Sequence, residues 1–213
     1  MFHRHLPTLA AASALVCSTA AGAATVHVTV TDTGGKPAAN AVVTLVPESG
    51  AAPVSHVPAR SVIDQQHETF LPLVVLVRKG GEVVFTNNDV TMHQVYSFSP
   101  VKQFQFEIDK SQVSKPVVFD KPGVAAVGCN IHDNMVAYVF VADQPYAAIT
   151  DAQGMAQIRD VPDGAFHAGA WHPRLRAGKA PAAAPLTVSG DTKLALTVPI
   201  TAAPAMSRMH KDY

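Results

Sequence analysis

The sequence predicts an all-β protein built from two β-sandwich modules. Its 213 residues contain 16 prolines and 13 glycines spread along the chain, which favours short strands joined by turns. Residues Thr25–Val30 alternate polar and apolar side chains, as a half-buried strand does, and Asp32–Gly35 follows as a turn. No window shows a sustained helical period, although Gln103–Gln112 is compatible with a short helix. The fold class is therefore all-β.

Residues 1–23 have the pattern of a secretory signal peptide. Arg4 gives a weakly positive start, Leu6–Val16 is apolar, and Ala21-Gly22-Ala23 is an A-x-A cleavage pattern. The apolar run is too short for the roughly 30 Å of bilayer hydrocarbon, which disfavours a membrane anchor. A lipoprotein site at Cys17 is disfavoured by the bulky Val16 before it. We therefore expect a periplasmic protein without stable membrane insertion.

The mature chain divides into four parts. Residues 25–60 are predicted to be the first part of a flanking sandwich with a linker, residues 61–143 a middle domain, residues 144–203 the second part of the flanking sandwich, and residues 204–213 a loose tail. Each flank alone offers too few strands to cover a sheet, so the two are expected to pack together, with Val28, Val43 and Trp171 in one core.

Local patterns predict the individual strands. In the middle domain, Lys79–Glu82 is predicted to form a hairpin turn. Ala177–Pro185 reads as a loop rich in Ala and Pro. The predicted strands are 25–30, 41–47, 73–77, 83–86, 117–119, 124–129, 136–141, 157–161, 166–171 and 194–200.

Charge and cysteine content reduce the range of possible functions. Lys plus Arg number 16 and Asp plus Glu number 16, so the chain lacks the cationic surplus of a general nucleic-acid binder. After signal cleavage Cys129 is the only cysteine. A single exported thiol needs protection by burial, by a partner chain or by a metal.

Three metal-binding side chains follow one another in Cys129–Met135. Cys129, His132 and Met135 are spaced C-x2-H-x2-M on a short loop between two predicted strands, and a folded loop can turn all three toward one point. His93, after an Asn/Asp loop, supplies a fourth ligand from elsewhere. Two His and one Cys with a weak axial Met suit one mononuclear Cu(I)/Cu(II) ion in electron transfer. Zinc is disfavoured because Met is a weak zinc ligand.

The middle domain resembles the cupredoxin, or blue copper, family, and most of all amicyanin and plastocyanin-like proteins. The resemblance lies in Gly81–Asn87, His93–Val95, Phe119–Gly123 and Cys129–Met135. It implies a Greek-key β-sandwich, with His93, Cys129 and His132 as strong ligands and Met135 as the axial one. It also implies that Asn88 hydrogen-bonds across to the loop holding Cys129.

The sequence departs from that family in two ways. Asp133 and Asn134 stand where amicyanin-like loops carry Pro and an aromatic residue, and Gln94 stands where Asn is common. Neither change removes a ligand.

The flanking parts resemble a carboxypeptidase-regulatory-like or transthyretin-like sandwich of the immunoglobulin-like kind. The resemblance lies in Thr25–Pro47 and in Thr150–Trp171. The copper family is associated with methylamine-utilisation-type periplasmic proteins, but no residue here encodes that pathway.

The leading hypothesis is one-electron transfer to a redox partner protein, without enzymatic activity. The alternatives are copper storage, delivery or sensing, and a partner-binding sandwich with a vestigial copper site. A multicopper oxidase is disfavoured because the chain is short and lacks paired H-x-H motifs. His67 and the tail residues Met206, Met209 and His210 are further candidate copper contacts, with surface positions favoured for them.

Overall fold

The computed structural model describes residues 23–49, 54–176 and 179–201. The predicted signal peptide, up to residue 22, and the candidate tail ligands Met206, Met209 and His210 lie outside these residues. The described strands are β1 (Ala23–Thr31), β2 (Val42–Pro47), β3 (Arg60–Gln65), β4 (Phe70–Leu71), β5 (Val74–Arg78), β6 (Gly81–Asn87), β7 (His93–Ser99), β8 (Lys102–Ile108), β9 (Val117–Phe119), β10 (Gly123–Cys129), β11 (Val136–Ala142), β12 (Tyr146–Ile149), β13 (Met155–Pro162), β14 (Gly164–Trp171), β15 (Ala182–Val188) and β16 (Thr192–Thr197).

Strands β3 to β11 form one β-sandwich, called here the inner sandwich. A five-stranded sheet, in the order β5-β11-β10-β7-β8, faces a four-stranded sheet in the order β4-β3-β6-β9. The alternating side chains of both sheets meet in a core that includes Ile63, Phe85, Phe119, Val127 and Val139, all 1% exposed or less.

The remaining strands form a second sandwich, called here the outer sandwich, from two separate stretches of chain. Its sheets have the orders β13-β1-β16 and β12-β2-β14-β15. Strand β1 pairs with β13 and β16, and β2 pairs with β12 and β14, so strands before and after the inner sandwich share both sheets. The predicted all-β class is confirmed, with two β-sandwiches and no helix among the described residues.

The two sandwiches meet at a third apolar cluster. It contains Val42, Leu76 and Ala142, with Tyr138 and Trp171 packed against them. The expectation that Trp171 shares a core with Val28 and Val43 is wrong, since those two valines belong to the outer core. Side chains alternate along β14, so Trp171 lies on the face opposite Ala170 and contacts the inner sandwich.

Three local predictions also differ from the structure. Residues 79–82 do not close a hairpin, because β5 and β6 belong to different sheets and the turn carries the chain between them. Residues 102–108 form strand β8, although the sequence of 103–112 is also compatible with a short helix. Strand β15 begins at Ala182, inside the predicted 177–185 loop, and its Pro185 is tolerated because β15 lies at a sheet edge.

In the part of the chain described by the structure, no helix has the length and apolar character that a bilayer-crossing segment requires.

Candidate metal centre

Two neighbouring strands of the five-stranded sheet position His93 and Cys129. His93 is the first residue of β7 and Cys129 the last of β10, and the antiparallel register sets Cys129 opposite Val95. Because alternate residues of a strand share a face, His93 and Val95 both point into the core beside Cys129. His93 is 0% and Cys129 3% exposed, and His93 Nδ1 lies 3.7 Å from Cys129 Sγ.

The loop between β10 and β11 folds back on itself and returns His132 to this pair. The Met135 N–H donates to the His132 carbonyl at 3.0 Å, so Asp133 and Asn134 occupy the centre of a tight turn, both exposed. The His132 ring lies 5.1 Å, centroid to centroid, from the His93 ring at an interplanar angle of 60°.

Strand β7 also fixes the start of this loop. The Asn130 N–H donates to the Gln94 carbonyl at 3.0 Å, and Asn130 Nδ2 donates to Gln94 Oε1 at 2.7 Å. Gln94, one of the two departures from the family pattern, therefore ties the loop to the strand that carries His93.

The sequence-predicted ligands His93, Cys129 and His132 converge on one point. Their ligand atoms all lie within 4.8 Å of one another. Met135, 2% exposed, lies in the same apolar core as Cys129.

These residues fit a metal ion. A trigonal metal at about 2.3 Å from a thiolate and about 2.0 Å from an imidazole separates sulfur and nitrogen by about 3.7 Å, using typical bond lengths. The Cys129–His93 separation matches that value. His132 Nδ1 is buried without a hydrogen-bond partner, a state that is costly for a polar atom unless a ligand satisfies it.

Each histidine also has a carboxylate on the ring nitrogen that faces away from this centre. Asp89 Oδ2 lies 3.2 Å from His93 Nε2, and Glu68 Oε1 lies 3.5 Å from His132 Nε2. Hydrogen bonds from the backbone N–H groups of Glu68 and Val90 lower the pKa of Asp89. Sequence reasoning missed both carboxylates, although Asp89 closes the Asn87-Asn88-Asp89 run before His93.

Asn88 does not have the expected role. Its Nδ2 donates to Asp64 Oδ1 at 2.9 Å in an exposed contact, and among the described residues its side chain makes no hydrogen bond to the Cys129 loop. The buried neighbour Asn87 does the local bracing instead, donating to the carbonyls of Thr91 and Ile108. His67 is exposed and does not join the His93, Cys129 and His132 group.

Comparisons with known proteins bear on less than half of the chain. No family model matches the sequence, and no curated protein does. A purple cupredoxin from Nitrosopumilus maritimus is similar at 21% identity, over 38% of this chain and 99% of its own, with a TM-score of 0.35.

Two further solved structures are similar to part of this chain. Amicyanin from Paracoccus versutus matches at 24% identity, over 46% of this chain and 98% of its own, with a TM-score of 0.35. A copper-containing nitrite reductase from Thermus scotoductus matches at 21% identity, over 45% of this chain and 24% of its own, with a TM-score of 0.37.

Proposed function

We propose that the protein binds one copper ion through His93, Cys129 and His132, with Met135 as a weak axial ligand, and transfers single electrons. One observation carries the proposal. A cysteine sulfur and two imidazoles converge at one end of the inner sandwich, and the Nδ1 of His132 is buried there without a partner.

The donor set favours copper over other metals. Thiolate and thioether donors suit Cu(I), whereas imidazole suits Cu(II) as well, so neither oxidation state is strongly disfavoured. When bound, copper supplies a reversible one-electron step. The chain's contribution is to hold His93 and Cys129 on paired strands and to keep water away from both.

His132 offers the route by which electrons reach a partner protein. Its side chain is 21% exposed, whereas the side chain of His93 is fully buried. A redox partner that docks over the edge of His132 would come closest to the metal. We therefore infer a carrier that works by brief contacts, and not an enzyme with its own substrate.

We further propose that the protein works in the periplasm. The support is the signal-peptide pattern of residues 1–23, whose cleavage leaves Cys129 as the only cysteine. A buried, metal-held thiol is protected in an oxidising compartment.

Copper(II) titration of the purified mature protein tests the proposal. We expect an intense visible thiolate-to-copper band and a narrow copper hyperfine splitting, both lost in Cys129→Ser. His67→Gln is the matched control, because His67 is exposed outside the group, and it should keep both signals. A wild-type protein without the band, or a Cys129→Ser variant that keeps it, contradicts the proposal.

Voltammetry then separates electron transfer from the copper-handling alternatives. A carrier should cycle reversibly between Cu(I) and Cu(II) while retaining the metal. Release of the metal in one oxidation state would favour storage or delivery instead.

A further inference from the structure

The turn between β3 and β4 has an unusual backbone. His67 and Glu68 both adopt left-handed conformations, with φ of 51° and 52°, and Gln66 and Thr69 exchange backbone hydrogen bonds across them. Two-residue turns of this geometry normally carry Asn-Gly or Gly-Gly, because side chains disfavour positive φ. Backbone strain of this kind clusters at functional sites, where the surroundings hold it in place.

Asp89 is what holds the turn. The Glu68 N–H donates to Asp89 Oδ2 at 2.6 Å, and the same oxygen lies 3.2 Å from His93 Nε2. Asp89 Oδ1 accepts from the Val90 N–H at 2.8 Å, and the Asp89 N–H donates to Asn87 Oδ1 at 2.9 Å. A buried carboxylate is thus fixed between the strained turn and a metal-binding histidine.

The turn in its left-handed form also aims the Glu68 side chain. Glu68 Oε1 lies 3.5 Å from His132 Nε2, so one connected unit faces the outer nitrogen of both histidines. A carboxylate at Nε2 favours the tautomer with a proton there, which leaves the Nδ1 lone pair free for a metal. The Nδ1 atoms are the ones that lie toward Cys129 or lack a partner.

We propose, on the basis of the copper function above, that Asp89 and Glu68 act as positioning residues. They hold both histidines with Nδ1 toward the metal, and their negative charges favour Cu(II) over Cu(I), which lowers the reduction potential. Asp89 acts more strongly because it is 7% exposed, whereas the Glu68 side chain is 62% exposed and screened by solvent.

Reduction potentials of the copper-loaded variants Asp89→Asn and Glu68→Gln test this inference. Residues that orient metal ligands typically change metal affinity 10- to 100-fold. Because the lost negative charge weakens Cu(II) binding more than Cu(I) binding, Asp89→Asn should shift the Cu(I)/Cu(II) equilibrium toward Cu(I) by about tenfold, or about 59 mV for one electron. Glu68→Gln should shift it in the same direction by less, and the shift should shrink as salt is added.

Asp64→Asn is the matched control. Asp64 lies in the same region and accepts hydrogen bonds from Thr86 and Asn88, but from neither histidine. Its removal deletes one negative charge without touching a ligand, so its shift measures the effect of net charge alone. Glu68 is exposed, so Glu68→Gln keeps the test decisive should Asp89→Asn fail to fold.

The outcomes separate the inference from the function on which it rests. Shifts larger than that of Asp64→Asn support it. A wild type that shows the copper band, with variants that shift no more than Asp64→Asn, overturns the positioning role alone. A wild type without the band overturns the copper function and this inference together.

Discussion

Substitution of Gly154 tests whether the two separate stretches of chain form one outer sandwich. Gly154 has a φ of +71°, and its carbonyl accepts a hydrogen bond from the Val30 N–H at 2.8 Å. A methyl group at this position would lie 2.4 Å from the Val30 carbonyl oxygen and 3.0 Å from the Ala38 nitrogen. Both atoms are backbone, and both belong to the stretch before the inner sandwich. Gly154→Ala therefore forces the two stretches apart.

The expected cost follows from three terms. A left-handed Ala costs about 1–2 kcal/mol, overpacking adds about 1–3 kcal/mol, and the reduced freedom of the unfolded chain returns about 0.4–1 kcal/mol. Gly154→Ala should thus lower the free energy of unfolding by about 1–5 kcal/mol, with a central value of about 3 kcal/mol. Gly35, in the same sandwich, has a φ of +76° but nothing within 4 Å of an added methyl group. Gly35→Ala should therefore cost only about 1 kcal/mol.

Urea-induced unfolding of the metal-free protein at constant m-value measures both costs. The copper band of both variants should match that of the wild type, because the metal centre lies in the inner sandwich. Equal costs for Gly154→Ala and Gly35→Ala would refute the reasoning. They would mean that the Val30 carbonyl does not press on Gly154 and that the outer sandwich is not assembled from these two stretches.

Three further outcomes follow from the structure. Burial lowers the pKa of His172, whose Nε2 faces the Ala39 carbonyl and whose Nδ1 accepts from the Arg174 N–H. The unfolded chain therefore binds a proton at higher pH than the folded protein does, so the free energy of unfolding falls as the pH drops below about 6.5. In urea titrations at pH 7 and pH 5, His172→Asn should show a smaller fall. Asp133→Pro should raise the reduction potential modestly and weaken the salt dependence of electron exchange with a cationic partner; an unchanged potential contradicts this. Trp171→Ala should lower the free energy of unfolding by about 1–3 kcal/mol, less than the loss of a fully buried Trp, because Trp171 is only partly buried. In calorimetry it should separate the unfolding of the two sandwiches without changing the copper band, and a single unshifted transition contradicts this.

Much of the fold was predictable from short-range sequence patterns. Strand β1 alternates polar and apolar residues, β10 and β11 are short apolar runs, and the structure places strands over all three stretches. Which strands pair with one another was harder to predict from the sequence. The turn at Gly80-Gly81 has hairpin composition, yet the choice between pairing and crossing to another sheet depends on partners distant in sequence. Strand β8 did carry a signal, since Phe104 and Phe106 alternate with polar residues, but its polar composition obscured it.

The candidate metal centre was predictable to the extent that it lies within one loop. The C-x2-H-x2-M spacing located Cys129, His132 and Met135, because the chemistry of the side chains and their closeness in sequence both pointed to one site. The supporting carboxylates were not predictable in this way. Glu68 reaches His132 from a turn 64 residues earlier in the numbering, and only the pairing of β3 with β4 and β6 brings it there.

Two of the candidate ligands lie on paired strands and two on the following loop, and this arrangement affects how far the ligands can move. His93 and Cys129 are fixed by the β7–β10 register, and Gln94 ties the following loop to β7 through Asn130. The Cys129–His93 separation of 3.7 Å already equals that of a metal-bound pair, so these two side chains need little movement on loading. Ligands that the fold holds in place cannot rearrange toward the geometry that either Cu(I) or Cu(II) prefers. Under the proposed copper function, the cost of changing oxidation state would then be small, as one-electron transfer requires, and a redox partner would dock over the partly exposed edge of His132.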